Sequence, residues 1–150
     1  MIVKCIAIRN NLPAVVLPYD IDNPWKNDDD FVVIRAGYDE GNYTKKYSLT
    51  LDREYEVYGI LIYGNSIRYL LSDDENMPCF FPSDLFLIKD RFLYYDWEIT
   101  HYIIDKCQYV LMGYSALIEN YASFRDLVDW SPNAIKKFLD YKATLTNYGR

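Results

Sequence analysis

Residues 49–72 read LTLDREYEVYGILIYGNSIRYLLS, and residues 80–88 read FFPSDLFLI. The first stretch contains two runs rich in β-branched and aromatic residues, which fit the pleated surface of a sheet. Gly64-Asn65 separates the two runs and favours a hairpin turn. In the second stretch, residues 82–86 predict a single helical turn that leads into a closing strand at Leu87-Ile88. These short strands and tight turns predict a small antiparallel β-barrel.

The N-terminal part of the chain adds an opening strand and a polar loop. Met1–Ile8 is rich in apolar residues and predicts a strand, with four residues available to the core: Ile2, Cys5, Ile6 and Ile8. Residues 18–30 contain two prolines and the run Asn27-Asp28-Asp29-Asp30, a composition that predicts an exposed loop. We therefore expect the barrel to span residues 1–89.

The C-terminal part has strand composition at first and helical spacing later. Phe92–Ile104 predicts a strand in which Trp97, Ile99 and His101 share the apolar face. Tyr109–Met112 predicts a further strand.

Two helices are predicted after these strands, one over residues 115–129 and one that begins at Ser131-Pro132. They are expected to pack across one end or flank of the barrel, or else to form a small separate subdomain. The expected fold class is α+β and mainly β. It comprises a small barrel, further strands and two C-terminal helices, in a single domain over residues 1–150 with the extension at 90–150.

Composition and charge restrict the class of partner. The 16 Tyr and 7 Phe residues are explained either by a tyrosine-rich barrel wall or by a dedicated binding face. The formal net charge is −6, and residues 51–90 carry −5 of it while residues 91–150 balance to zero. Such charge repels nucleic acids and anionic membranes but attracts a basic protein, although solubility alone would also explain it.

Catalytic and metal-binding patterns are scarce, so we expect a protein that is not an enzyme and that uses no cofactor or metal. His101 is the only histidine, the six glycines form no G-x-G pattern, and the three cysteines are far apart. The first eight residues are too short for a secretory signal, and no apolar run is long enough to cross a bilayer. A cytoplasmic location is expected.

Four segments resemble the pattern of short bacterial and phage SH3-like proteins. They are Val3-Lys4-Cys5-Ile6, residues 49–57 (LTLDREYEV), residues 69–74 (YLLSDD) and residues 81–88 (FPSDLFLI). Asp52 replaces the usual glycine of the second segment. Longer members with a C-terminal extension like Leu111-Met112-Gly113-Tyr114 resemble immunity proteins of contact-dependent or polymorphic toxin systems.

This resemblance implies an SH3-like barrel and an immunity protein that neutralises a cognate bacterial toxin. Joined to the charge, it implies a basic toxin domain, and basic toxins of this kind are commonly nucleases. The expected contact is the acidic turn Asp73-Asp74-Glu75 together with Tyr63 and Tyr69, and Asp28-Asp29-Asp30 is the second choice. An ordinary polar hairpin turn explains the first of these equally well.

The alternative function is an SH3-like adaptor or accessory module that binds a peptide or a nucleic acid. For the nucleic acid, bases would stack on an aromatic platform made of Tyr63, Tyr69, Phe80 and Phe81. A basic groove does not accompany that platform, because residues 51–90 contain three basic residues against eight acidic ones. Neither a nucleic acid nor a membrane is therefore the expected partner.

Overall fold

The computed structural model describes residues 1–6, 9–10 and 45–148. In this part of the chain, strands predominate over helices. The strands are β1 (Ile2–Cys5), β2 (Arg9–Asn10), β3 (Lys45–Lys46), β4 (Glu54–Glu56), β5 (Gly59–Tyr63), β6 (Ser66–Ser72), β7 (Pro78–Pro82), β8 (Phe86–Asp90), β9 (Glu98–Ile104) and β10 (Cys107–Gly113). The helices are α1 (Ser115–Ile118), α2 (Tyr121–Val128) and α3 (Pro132–Tyr148), and a 3-10 turn at Ser83–Leu85 separates β7 from β8.

The strands form antiparallel sheets. One sheet has the order β4-β1-β8, a larger one has the order β7-β6-β5-β10-β9, and β2 pairs with β3. The 3-10 turn carries the chain from the larger sheet to the smaller one. The predicted mixed fold, mainly β, is confirmed, and so is the hairpin at Gly64, whose positive φ of 54° suits glycine.

The first hydrophobic core lies between the three-stranded sheet and one face of the five-stranded sheet. Alternate residues of β1 point into it, and Val3 and Cys5 are completely buried. Opposite them, Tyr69 and Phe81 project from β6 and β7, and both rings contact Phe86 of β8. Burial of large apolar and aromatic side chains on both sides holds the two sheets together.

The second core lies on the other face of the five-stranded sheet, where the helices pack. Phe138 of α3 is completely buried, and its ring meets Tyr58 edge-on at 5.1 Å. Gly59 and Gly113 allow the close approach of α1, because a Cβ atom at either position would lie within 2.9 Å of a Leu117 methyl carbon. The helices thus share a core with the sheet instead of packing apart from it.

Two C-terminal helices were predicted, and the structure has three within residues 115–148. The helix predicted over residues 115–129 is divided into α1 and α2, because Asn120 caps a new helix by accepting a hydrogen bond from the Ser123 amide at 2.9 Å.

Two side-chain orientations also differ from the prediction. In and next to β1, Met1, Val3 and Cys5 are buried, whereas Ile2, predicted for the core, is half-buried and Ile6 is 45% exposed; Ile8 lies outside the described residues.

In β9, the inward residues are Thr100, Tyr102 and Ile104, so Ile99 and His101 point outward. The turn at Asp105-Lys106 fixes this register, and a shift of one residue would reverse every side chain. Trp97, predicted to lie on the same face as these two, is outside β9 and packs against the first core.

Candidate protein-binding surface

The predicted acidic turn connects β6 to β7, and its first carboxylate stabilises the turn itself. Asp73 accepts hydrogen bonds at Oδ1 from the backbone N–H groups of Glu75 (2.9 Å) and Met77 (2.8 Å). Burial raises the pKa of the Asp73 carboxyl, although these two hydrogen bonds oppose the shift. Asn76 completes the turn with a positive φ of 64°.

The second carboxylate of the turn, Asp74, is an acceptor for three side chains. Thr50 donates to Oδ2 at 2.7 Å, while Arg53 and the Tyr55 hydroxyl donate to Oδ1 at 2.9 and 2.7 Å. Only 25% of the Asp74 side chain is exposed. This carboxylate therefore joins the turn to the segment that enters β4, and Arg53 offsets its charge.

Glu75 is left as the outward carboxylate of the turn. The ammonium group of Lys142 lies beside the same turn. Lys142 of α3 reaches the turn and donates to Ser72 Oγ at 2.8 Å and to Asn76 Oδ1 at 2.5 Å. Another acid of the same region, Asp52, pairs with Lys4 at 2.8 Å. The negative charge predicted for residues 51–90 is thus partly offset by neighbouring cations.

The two tyrosines predicted to accompany the acidic turn lie on opposite faces of the five-stranded sheet. Tyr63 stacks on Tyr109 on the helix side, with ring centroids 4.4 Å apart. Tyr69 is 8% exposed and belongs to the first core. Phe80 and Phe81 are also buried, at 9% and 2% exposure, so these rings form no stacking platform at the surface.

The other predicted contact, Asp28, Asp29 and Asp30, lies outside the described residues. In the sequence, residues 11–44 contain seven acidic and two basic residues, a net charge of −5. Subtracting −5 from the total of −6 leaves −1 for the rest of the chain. Any long-range attraction of a basic partner therefore depends strongly on residues 11–44.

A concentration of exposed apolar residues that the sequence analysis did not identify lies in residues 87–103, here named the 87–103 segment. These residues are close in sequence, although Leu87 and Ile88 belong to the three-stranded sheet and Ile99 and Ile103 to the five-stranded sheet. Seven of the eleven exposed large hydrophobic residues of the described chain fall within it. Phe92 is 76% exposed, and Tyr95 is as exposed as in an extended peptide. The other five are Leu87, Ile88, Leu93, Ile99 and Ile103. Exposed apolar residues are ordinary when scattered, whereas a contiguous patch of them is typical of an interaction site. Phe92, Leu93 and Tyr95 follow closely on one loop and are the candidates for such a patch.

Anchoring residues hold the loop of this segment, between β8 and β9, against the body of the protein. Tyr94 packs against Trp97 at 6.1 Å between ring centroids, and its hydroxyl donates to Glu56. The Trp97 indole donates to the Tyr141 hydroxyl of α3 at 3.2 Å. Because Tyr94 and Trp97 face inward, their neighbours Phe92 and Tyr95 are presented to solvent from a fixed loop.

The sequence contained an indication of this loop, although its strand-like composition led to the prediction of a strand. Residues 91–97 (RFLYYDW) suggested part of a strand, yet four of these seven residues are aromatic and the run lacks strict alternation. Asp90 precedes the run and accepts a hydrogen bond from the Phe92 amide at 3.0 Å, a local turn that ends β8. A carboxylate followed by non-alternating aromatic residues was the available indication of a loop.

His101 lies exposed on β9. Within the described ranges, no three His, Cys, Asp or Glu side chains come together to hold a metal ion. No helix in this same part of the chain is long and apolar enough to cross a membrane. The expectations of no enzymatic activity and no cofactor stay predictions.

Comparison with known proteins gives no relative. No protein-family model matches the chain, and no curated protein and no solved structure matches it either.

Proposed function

We propose that this chain is a cytoplasmic immunity protein that binds a cognate, basic bacterial toxin domain and blocks its activity. The observation that carries the proposal is the exposed apolar surface of the 87–103 segment, where Phe92 and Tyr95 project from an anchored loop. Two largely exposed aromatic side chains close to exposed aliphatic residues are unfavourable in water and are typical of a protein-binding surface.

The order of the strands supports an SH3-like barrel within this proposal. The chain forms a three-stranded meander, β5-β6-β7, and a 3-10 turn then leads to β8, which pairs with β1. The residues that carry the resemblance belong to the first core, among them Val3, Tyr55 and Phe81. The resemblance therefore concerns the fold, and the choice of partner depends on the surface.

We expect the aromatic residues to supply most of the binding energy and the carboxylates to raise the association rate with a basic partner. Aromatic residues buried at the centre of an interface are typical hot spots, and truncation of one costs about 2 kcal/mol or more. The same segment contains Asp90, Asp96 and Glu98 against Lys89 and Arg91, a net charge of −1. Together with residues 11–44, whose net charge is −5, it favours encounter with a basic protein and disfavours acidic competitors.

The second candidate is an SH3-like adaptor that binds a peptide. An extended peptide would use the same apolar surface, or the open edge of the sheet at β9, by adding a strand. The nucleic-acid form of this alternative has less support, because Tyr69, Phe80 and Phe81 are buried in the cores.

Co-expression tests the immunity function directly. A cognate toxin is expected to be encoded immediately before this gene, and its toxic C-terminal domain should kill a bacterial host. Expression of this chain should restore growth, and the purified chain should bind that domain more tightly than micromolar. Lack of protection, or absence of a neighbouring toxin gene, would contradict the immunity function and leave the adaptor.

A further inference from the structure

The outer edge of β9 is open in the part of the chain that the structure describes. Asp105 and Lys106 both have positive φ (49° and 67°), as in the two-residue type I′ turn that closes a hairpin on a hydrogen-bonded pair. That pair is Ile104 and Cys107. Since hydrogen-bonded pairs alternate along an antiparallel ladder, the backbone groups of Ile99, His101 and Ile103 point away from β10.

The opposite edge of the same sheet, β7, is protected against pairing with another strand. At β7, Pro78 and Pro82 have no N–H group to donate, and the Trp130 indole donates to the Pro78 carbonyl at 2.8 Å. Proline and charged residues are the usual protection of an edge strand. Between Ile99 and Ile103 there is neither a proline nor a charged residue.

We propose that β9 pairs antiparallel with β9 of a second copy of this chain, about a twofold axis at His101. This register uses the outward backbone groups of all three residues, because Ile99 faces the second copy's Ile103 and the two His101 residues face each other. The side chains of Ile99 and Ile103 are 66% and 71% exposed and meet as apolar cross-strand pairs.

Charge complementarity favours a second copy as the occupant of this edge. In the register centred on His101, Asp96, two residues before β9, comes to the same end of the paired strands as the second copy's Lys106, two residues after it, and the twofold axis repeats this arrangement at the other end. Opposite charges at both ends of the paired strands favour this register over one that brings like charges together. A strand whose sequence matches its own reverse in this way forms an isologous interface.

The five-stranded sheet is predicted to extend by one copy only. Pairing of the β9 edges joins two five-stranded sheets into one continuous ten-stranded sheet whose outer edges are both β7. Those edges are blunted by Pro78, Pro82 and Trp130, so the ten-stranded sheet is not expected to extend to a third copy through β7. This inference does not rest on the proposed function.

Sedimentation equilibrium of the full chain tests the dimer. The wild-type chain should be in concentration-dependent equilibrium between monomer and dimer. His101→Lys and His101→Glu each place like charges together at the twofold axis and should weaken the dimer at least tenfold. Because the two changes are complementary, an equimolar mixture of the two variants should recover dimer as a heterodimer.

Gln108→Lys is the matched control, since Gln108 is exposed on the neighbouring strand β10 and does not lie at the axis. It should leave the dimer unchanged, and circular dichroism should show all variants folded. A wild-type chain that stays monomeric up to millimolar concentration overturns the inference. Wild-type dimerisation by both single variants, or failure of their mixture to associate, overturns it as well.

Discussion

The acidic turn at residues 73–77 and the 87–103 segment differ in how many of their side chains make contacts within the fold. In the turn, Asp73 and Asp74 together accept five hydrogen bonds, and Arg53 pairs with one of the two carboxylates. In the 87–103 segment, seven large apolar side chains remain exposed. In this chain, the charges that stand out in the sequence stabilise the fold, whereas the exposed apolar side chains remain available to a partner.

The physical reason is that polar backbone groups and apolar side chains find favourable contacts in different ways. A tight turn has backbone N–H groups without partners, and a nearby aspartate satisfies them at little entropic cost. The free energy of an exposed aromatic ring in water falls only when another surface covers the ring. The two regions therefore predict opposite consequences of mutation: loss of stability at the turn, and loss of binding at the 87–103 segment.

The largest effect is expected for the double variant Phe92→Ser/Tyr95→Ser. Both rings are exposed, so the free energy of unfolding should change by less than about 0.5 kcal/mol. The affinity for the cognate toxin domain should fall by about 100-fold or more, since two aromatic anchors are removed. Calorimetric titration measures this affinity.

Leu51→Ser is the control for that double variant, because Leu51 is 49% exposed on a loop beside the acidic turn. It should bind the toxin domain like the wild type. Equal losses for Leu51→Ser and for the aromatic variant would remove the distinction between the two regions.

The next effect is a loss of stability on Asp74→Ala. The substitution leaves Thr50, Arg53 and the buried Tyr55 hydroxyl without their common acceptor, and we expect a cost of about 2 kcal/mol. Chemical denaturation measures it. Glu75→Ala, in the same turn, should cost less than about 0.5 kcal/mol, and equal costs for the two would contradict the structural role of Asp74.

The smallest effect concerns Asp73→Asn and its dependence on pH. Burial raises the pKa of Asp73, so the folded protein binds this proton more tightly than the unfolded chain does. The group therefore favours folding below the ordinary aspartate pKa, and this contribution is lost as pH rises through the raised pKa.

Asparagine keeps the Oδ1 acceptor and lacks this titration. Near neutral pH, Asp73→Asn should thus equal or exceed the wild type in stability, by at most about 0.5 kcal/mol after solvent screening. Denaturation midpoints from pH 3 to pH 7 measure the difference. An advantage of the variant that grew as pH fell would contradict the assigned direction of the pKa shift.

Local signals predicted much of the fold. Gly64 gave the hairpin, residues 82–86 gave the helical turn, and Ser131-Pro132 gave the start of α3, because each depends on backbone preferences of a few neighbouring residues. The outward face of β9 was not predictable in this way. Both faces of that strand carry apolar residues, so only pairing with β10 decides which face is buried.

The candidate site was less predictable than the fold, for a similar reason. The donors to Asp74 come from Thr50, Arg53 and Tyr55, about twenty positions earlier in the chain, and only the folded arrangement brings them together. Likewise, the exposure of Phe92 and Tyr95 follows from the anchoring of Tyr94 and Trp97 by distant residues.

Hydrogen–deuterium exchange of the chain with and without its proposed toxin partner shows which of the two regions the partner covers. It should be recorded at concentrations where the free chain is monomeric, so that self-association contributes no protection. Binding should slow exchange of backbone amides within residues 87–103 and leave residues 73–77 unchanged. Protection of residues 73–77 with unchanged exchange across the 87–103 segment would contradict the account.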